Sequence, residues 1–309
     1  MVKRMKKATM KDIAAEANVS VATVSYVLNK AENQSIPAET KERVLEIAKK
    51  LNYVPNLAAR SLVKQKTGLI GILLNRSVHE GVWRRSYHAE FIFQLEQLLT
   101  KKGYHVVLSS IDVEKPNLEI IAERKLDGVI LIDVREDLFY SISKTVPSGV
   151  PLVLADSVID DPLFYKVLYD YQGAFSAAKK KLEGKPAFLI MEKFHNTGLS
   201  DRIIKESGLE RHNVYVMENE DGLPDFLASN KDKSAIIINE FLAAAVSKRR
   251  DLKDDVVICT SNSPEILPEG TKRVQFKDTK ACIAFIVLSD LMKDNRGLHL
   301  EKYTYTQAD

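Results

Sequence analysis

Apolar residues recur at helical spacing through the front of the chain and form short continuous runs after residue 67. That change of period divides the sequence into two textures. At the front, Ile13, Ala14 and Ala17 form one stripe behind Thr9, and Asp12 stands three residues beyond Thr9, the spacing of a capping pair. This predicts a first helix that ends near Asn18. Asn18-Val19-Ser20 reads as a tight turn, and Ser20 is placed to cap a second helix in which Val24, Val27 and Leu28 fall at i, i+3 and i+4. Val21, Ala22, Ser25 and Tyr26 are left on its more exposed faces. A third helix, about 38–51, carries Val44, Leu45, Ile47, Ala48 and Leu51 as its stripe, and the three stripes together close one miniature core.

Beyond Thr67, apolar strands alternate with amphipathic helices. The predicted strands are GLIGILLN (68–75), YHVVLSS (104–110), DGVILID (127–133), PLVLAD (151–156), KVLYD (166–170), PAFLIM (186–191), NVYVM (213–217), SAIIIN (234–239) and DVVICTS (255–261). Near-continuous apolar strands joined by helical crossovers imply parallel sheets covered on both faces. Nine strands exceed a usual sheet, so two α/β halves are expected. Ligands of such folds bind outside the carboxyl ends of the strands, which makes the polar residues there informative. GxGxxG, GxxxxGK[ST] and GxSxG are all missing, so dinucleotide, P-loop and hydrolase readings have no motif behind them.

Composition adds three points. The 309 residues are 45% hydrophobic and 28% charged, typical of a globular protein of two or three domains, and no apolar run approaches a membrane span. The opening MVKRMKKATM is basic but lacks the apolar core of a secretory signal, so a cytoplasmic protein is expected. Cys259 and Cys282 read as two buried thiols, and the six histidines form no metal-binding pair, so neither a metal nor a cofactor is expected. Charge is uneven: residues 1–66 hold 13 Lys and Arg against 6 Asp and Glu, whereas the remainder holds 32 against 36. A basic module on a slightly acidic body suits a polyanion, because Lys and Arg contacts to phosphate release condensed counterions.

Two helices joined by a tight turn, the second capped and small at its start, are the means by which a helix-turn-helix enters the major groove. Taken alone, residues 19–29 also fit an ordinary helical hairpin. The companion segment YVPNLAARSLVKQKT (53–67) extends the comparison. Through MKDIAAEANVSVATVSYVLN (10–29), TKERVLEIAKKLNYVPNLAARSL (40–62) and TGLIGILL (67–74), the chain resembles the LacI/GalR family of bacterial transcription regulators. YHAEF, LDGVIL, VPLVLAD, LYDYQGAF and AIIIN continue the resemblance more loosely.

The resemblance implies an all-α helix-turn-helix headpiece (1–55), a hinge helix and linker (56–66), and an α/β core (67–309). That core would be periplasmic-binding-protein-like, with two doubly wound parallel-sheet subdomains. It further implies a homodimer on double-stranded operator DNA, with no membrane partner. Ser20, Thr23, Ser25 and Asn29 would serve phosphate contacts and helix placement, and Val21, Ala22 and Tyr26 would face base edges. Thr9, Met10, Tyr53, Asn56 and Arg60 complete the implied DNA-binding set. Tyr26 departs from the family's frequent arginine, exchanging a bidentate guanine contact for one donor and a ring. In the hinge, Pro55 disfavours helix at Val54, and Asn56 can cap a segment, Leu57 to Val63, too short to stand alone. In the family the paired hinge helices form on DNA and a leucine enters the minor groove; Leu62 holds that place, with Ala59 permitting close approach.

Between the two core halves the resemblance implies a small-molecule effector, a sugar or sugar derivative. Its candidate contacts are Asn75, Tyr87, Asp156, Tyr169, Asp170, Arg202, Asn239, Ser261 and Gln275, since hydroxyls need paired partners and sugar rings stack on aromatics. Departures concentrate here: Glu240 and Ser261 stand where aspartate is frequent, Lys277 lies near a common aromatic place, and 184–230 is compressed. A phosphorylated or acidic effector, a protein corepressor or no effector stay open, as does a cytoplasmic sugar-binding protein. An enzyme is disfavoured, because nothing supplies a nucleophile with its base.

Overall fold

Thr9 accepts from the Asp12 amide, and the Asp12 carboxylate accepts from the Thr9 amide at 2.7 Å, so α1 (Met10–Ala17) begins on a complete capping box. A computed structural model describes residues 8–28, 35–53, 66–77, 80–293 and 301–309, and divides the chain into two units, Met1–Thr67 and Gly68–Asp309. In the first unit, Asn18 ends α1 in the left-handed region, φ 53°, which asparagine tolerates. Ser20 Oγ then accepts from the Thr23 amide at 3.0 Å and starts α2 (Val21–Leu28). The third helix, α3 (Ala38–Lys50), closes a core in which Ile13, Ala17, Val24 and Val44 are buried. Leu45 differs from the sequence expectation. It is 51% exposed, because it lies about 100° round the helix from the buried Val44.

In the second unit, apolar runs build two wholly parallel sheets. The first contains β1 (Leu69–Arg76), β2 (His105–Asp112), β3 (Gly128–Ile132), β4 (Leu152–Ala155), β5 (Tyr165–Tyr169) and β11 (Tyr303–Thr306), ordered β11-β5-β4-β3-β1-β2. The second contains β6 (Ala187–Glu192), β7 (Val214–Met217), β8 (Ser234–Ile238), β9 (Val256–Ile258) and β10 (Lys272–Val274), ordered β10-β9-β8-β6-β7. The nine predicted strands are all present. β10 and β11 were not predicted, since each is a short edge strand and neither KRV nor YTYT makes a buried apolar run.

Successive strand residues point to opposite faces, and both faces of each sheet meet helices. On one face of the first sheet, Ile72, Ile130 and Val153 meet Phe91 and Leu95 of α4 (Val82–Lys101), and Ala284 and Leu288 of α11 (Lys280–Met292). On the other, Leu131 and Leu154 meet Phe139 and Ile142 of α6 (Glu136–Thr145), beyond the short α5 (Glu119–Glu123). The second sheet is covered by α7 (Tyr171–Lys181) and α8 (Thr197–Ser207) on one side. Its other side meets α9 (Leu223–Ser229) and α10 (Glu240–Val246). The chain enters the second sheet after β5 and returns after β10, where Phe276 and Ala308 form an antiparallel bridge. Among the described residues no helix is long and apolar enough to cross a membrane. Cys259 is buried and Cys282 only half-buried, because its place on α11 lies beside the buried stripe rather than on it.

Leu154→Ala is expected to cost about 2–5 kcal/mol in urea unfolding, whereas Leu163→Ala, at a site 75% exposed, should stay within about 0.5 kcal/mol. Equal effects would contradict the two-sided burial of the first sheet.

Candidate functional site

In the first unit, burying Val24 and Val27 turns the opposite face of α2 outward. Val21 is 42% and Tyr26 41% exposed, Ala22 is exposed, and Thr23 and Ser25 are half-buried. Ser20 is exposed and lies 2.9 Å, hydroxyl to hydroxyl, from Thr23, so two polar groups flank the thin start of the helix. Thr9 is exposed in its cap; Met10 and Tyr53 pack partly against the miniature core. This brings the described members of the predicted DNA-binding set onto one unit. Asn29, Asn56, Ala59, Arg60 and Leu62 lie outside the described residues.

In the second unit, the carboxyl ends of strands from both sheets meet along one seam. Asp133 follows β3 and accepts from the backbone amides of His195 and Asn196 at 3.1 and 3.0 Å. Asn196 caps α8, donates to the carbonyls of Val134 and Val158, and accepts from the Val158 amide at 2.9 Å. Arg84, buried on α4, pairs with Asp133 and donates to the Lys193 carbonyl. Tyr169 Oη donates to the Thr260 carbonyl at 2.5 Å, joining β5 to the loop after β9. These bonds tie the two sheets together through protein groups alone.

Six predicted effector residues lie at the seam, all buried. Tyr87 Oη donates to Asp156 at 2.7 Å, and Asp156 also pairs with Lys280. Asn239 caps α10, donates to Glu192 at 3.4 Å and accepts from Ser261 Oγ at 3.3 Å. The Asn75 side-chain amide is buried, with no partner for either atom among the described residues. The other three stand apart. Asp170 caps α7 through the Gly173 amide; Arg202 pairs with Glu206 at 2.7 Å against the rings of Tyr303 and Tyr305; Gln275 is exposed.

Burial sets the electrostatics of the seam. Desolvation pushes the Glu192 carboxyl up to about 7, against the fields of Arg84 and Lys280. It also raises Glu240, although the amides of Ser261 and Ser263 donate to that carboxylate at 2.8 and 2.9 Å. Burial holds the His88 imidazole well below its ordinary value, so His88 is neutral near pH 7. Glu80 goes the other way: burial would raise it, but hydrogen bonds from His195 and the Ser77 amide outweigh that and hold it low. At the mouth of the seam, a cavity of 260 Å³ is lined by Glu80, Trp83, Arg84, Lys193, His195 and Glu218. Trp83 reaches from α4 into the apolar cluster of α9 and α10, so one helix helps to build both halves.

Residues 9–56 match the family described as bacterial regulatory proteins, lacI family. That match lies wholly within the N-terminal unit. The chain is 32% identical over 183 residues to the HTH-type transcriptional repressor PurR of Aliivibrio salmonicida, an alignment covering 57% of this chain and 52% of that protein. Catabolite control protein A of Staphylococcus aureus (strain Mu50) is similar to the same degree, with 57% of this chain and 51% of that protein covered. The chain thus spans about half the length of the curated relatives it matches. In fold, it is similar to the lac repressor dimer bound to operator and the anti-inducer ONPF, at 16% identity and a TM-score of 0.72, covering 98% of this chain and 97% of that one. The core behind the matched region therefore has the periplasmic-binding-protein-like fold of that repressor.

Sequence reasoning missed the charged groups of the core. Lys280 stands on the stripe with Ala284, Val287 and Leu288, and Arg84 on the stripe with Tyr87, His88 and Phe91. A charge at helical spacing within an apolar stripe signals a buried ion that needs a partner. Asp133 follows β3 as Asp156 follows β4, and like Asn75 at the end of β1 it closes an apolar run, which carries the same signal.

Glu192 gives a signed pH test. Its folded value lies above the ordinary 4.5, so the stability it contributes is complete below pH 4.5 and is lost as pH rises through about 7. Between pH 4.5 and 7.5 the wild type is expected to lose about 3 kcal/mol more unfolding free energy than Glu192→Gln. Parallel pH profiles would show that Glu192 is not held protonated by burial.

Proposed function

We propose that the chain is a sequence-specific DNA-binding transcriptional regulator of the cytoplasm, a repressor that binds a palindromic operator as a homodimer and is tuned by a small molecule, a sugar or sugar derivative. The observation that carries this reading is the outward face of α2: small at Val21 and Ala22, capped by Ser20, and set on a unit with 13 basic against 6 acidic residues over 1–66. Small side chains let the helix start approach base edges, and the basic balance draws the unit to phosphate. Tyr26 brings one hydroxyl and an apolar ring to the groove, which suits a thymine methyl beside a single acceptor better than guanine. Ser20, Thr23 and Ser25, with Thr9 at the start of α1, offer hydroxyls to the backbone.

The names of the similar proteins support the reading: PurR is called a repressor, and the lac repressor was solved as a dimer on its operator. The hinge is assigned the same work on sequence grounds, with Leu62 wedging into the minor groove and Ala59 allowing two hinges to approach. A transcriptional regulator similar in fold, CelR, was solved with cellobiose, at 18% identity and a TM-score of 0.57. Asn75, Asn239 and Ser261 are the seam residues assigned to an effector's hydroxyls, although the cavity of Trp83 and His195 is lined by other residues. No catalytic group is assigned.

Fluorescence anisotropy with duplexes from the region upstream of the gene tests the reading. Binding should weaken steeply with salt and disappear when residues 1–66 are removed. Tyr26→Ala is expected to change preference at one or two base pairs by about 1–3 kcal/mol, whereas Lys11→Ala should weaken all duplexes alike and lower the salt slope by about one. Leu62→Ala should weaken operator binding and leave unfolding of the core unchanged. A base preference that ignores Tyr26 would assign the reading face elsewhere.

A further inference from the structure

Lys280 is the first residue of α11 and is 1% exposed, on the buried stripe of a helix that packs on the first sheet. An ammonium at such a place has to be neutralised from within the protein. Its Nζ donates to Asp156 Oδ2 and to the Tyr87 hydroxyl, and Tyr87 in turn donates to the same carboxylate oxygen. Three rings close the remaining sides: Nζ stands 4.5 Å from the ring centres of Tyr87 and Phe91, and 5.0 Å from that of Tyr169. A carboxylate surrounded by aromatic faces is how proteins recognise free ammonium ligands. Asp156 follows β4 and Tyr169 ends β5, so the cage lies at the carboxyl ends of parallel strands, where open α/β sheets receive ligands.

We propose that Lys280 is a tethered ligand of the core: its ammonium fills a built ammonium site at the ends of β4 and β5 and keeps external ligands out of that site. The walls come from three separate elements, α4, β5 and the turn after β4, none of them the helix that carries the lysine, so the cage is held by the fold rather than by the lysine alone. Truncating Lys280 to alanine removes the stem beyond Cβ together with the charge. The space left matches a primary alkylammonium of three carbons. Methionine in the same place fills the space without restoring the charge. Occupation of the cage does not depend on whether the chain binds DNA.

Thermal unfolding of the full chain, followed in n-propylammonium chloride and in potassium chloride of equal ionic strength, tests the proposal. The Lys280→Ala midpoint is expected to rise saturably in the amine, by roughly 3 °C or more near saturation. 1-Propanol should not reproduce the rise, and the wild type and Lys280→Met should not respond to the amine. An amine response no larger than that of the wild type overturns the proposal. Should Lys280→Ala yield no folded protein, Lys280→Met, Asp156→Asn and their double variant replace it. Each single change should lower the midpoint and the pair should lower it by less than the sum, while strict additivity overturns the proposal. DNA binding measured on the same preparations separates the two readings. Amine rescue without DNA binding removes the regulator and leaves the ammonium site; DNA binding without amine rescue removes the tethered ligand alone.

Discussion

A parallel sheet joined by helical crossovers must be covered on both faces, and that requirement decides where this chain keeps its polar chemistry. All five residues of β3 and all five of β8 are buried, and apart from Ser234 at the start of β8 none carries a polar side chain. Polar groups gather where strands end. Asn75 and Glu192 stand at the ends of β1 and β6, Asp133, Asp156 and Asn239 follow β3, β4 and β8, and all five are buried where the two sheets face each other. Three of them adopt positive φ, Asp133 at 52°, Asp156 at 50° and Asn239 at 86°, which turns the chain out of the strand and into the seam. The seam is thus a product of sheet burial, and so is its unusual electrostatics: a carboxyl raised by desolvation, a neutral imidazole and two buried cations beside carboxylates.

The N-terminal unit solves the opposite problem. Its core is made of a few small and branched side chains, so local devices carry much of the definition: the Thr9–Asp12 box, the left-handed Asn18 and the Ser20 cap. Those devices fix which residues of α2 point away from the core. What faces outward is short, with two hydroxyl groups at its start and a tyrosine one turn on, on a unit whose charge is opposite in sign to that of the rest of the chain. A surface of that shape and charge has little use in an apolar contact between proteins, and suits a polyanion with a groove.

Period and burial account for what was legible in the sequence. Three helices and nine strands could be read because each carries an apolar stripe or run in its sequence. The edge strands β10 and β11 could not, since KRV and YTYT, unlike the edge strands β2 and β7, carry no continuous apolar run. The strand-end rule placed Asn75, Asp156, Tyr169, Asn239 and Ser261 at the seam, but it cannot tell a polar end that joins a shared site from one that caps its own helix, as Asp170 does. Arg202, matched across a compressed stretch, and Gln275, at the end of a short edge strand, lie away from the seam. Arg84 and Lys280 were missed for a different reason: the stripe signals that a charge is buried, but not which carboxylate, far away in sequence, pairs with it.

Selection of bound duplexes from a random-sequence pool, at fixed salt and with the intact chain, addresses the central claim most directly. If α2 reads the major groove from each half of a symmetric pair, the enriched sequences will converge on an inverted repeat, with half-sites spaced by about one helical turn or a multiple of it. A pool that stays unenriched, or that converges on a sequence without two-fold symmetry, would contradict the account.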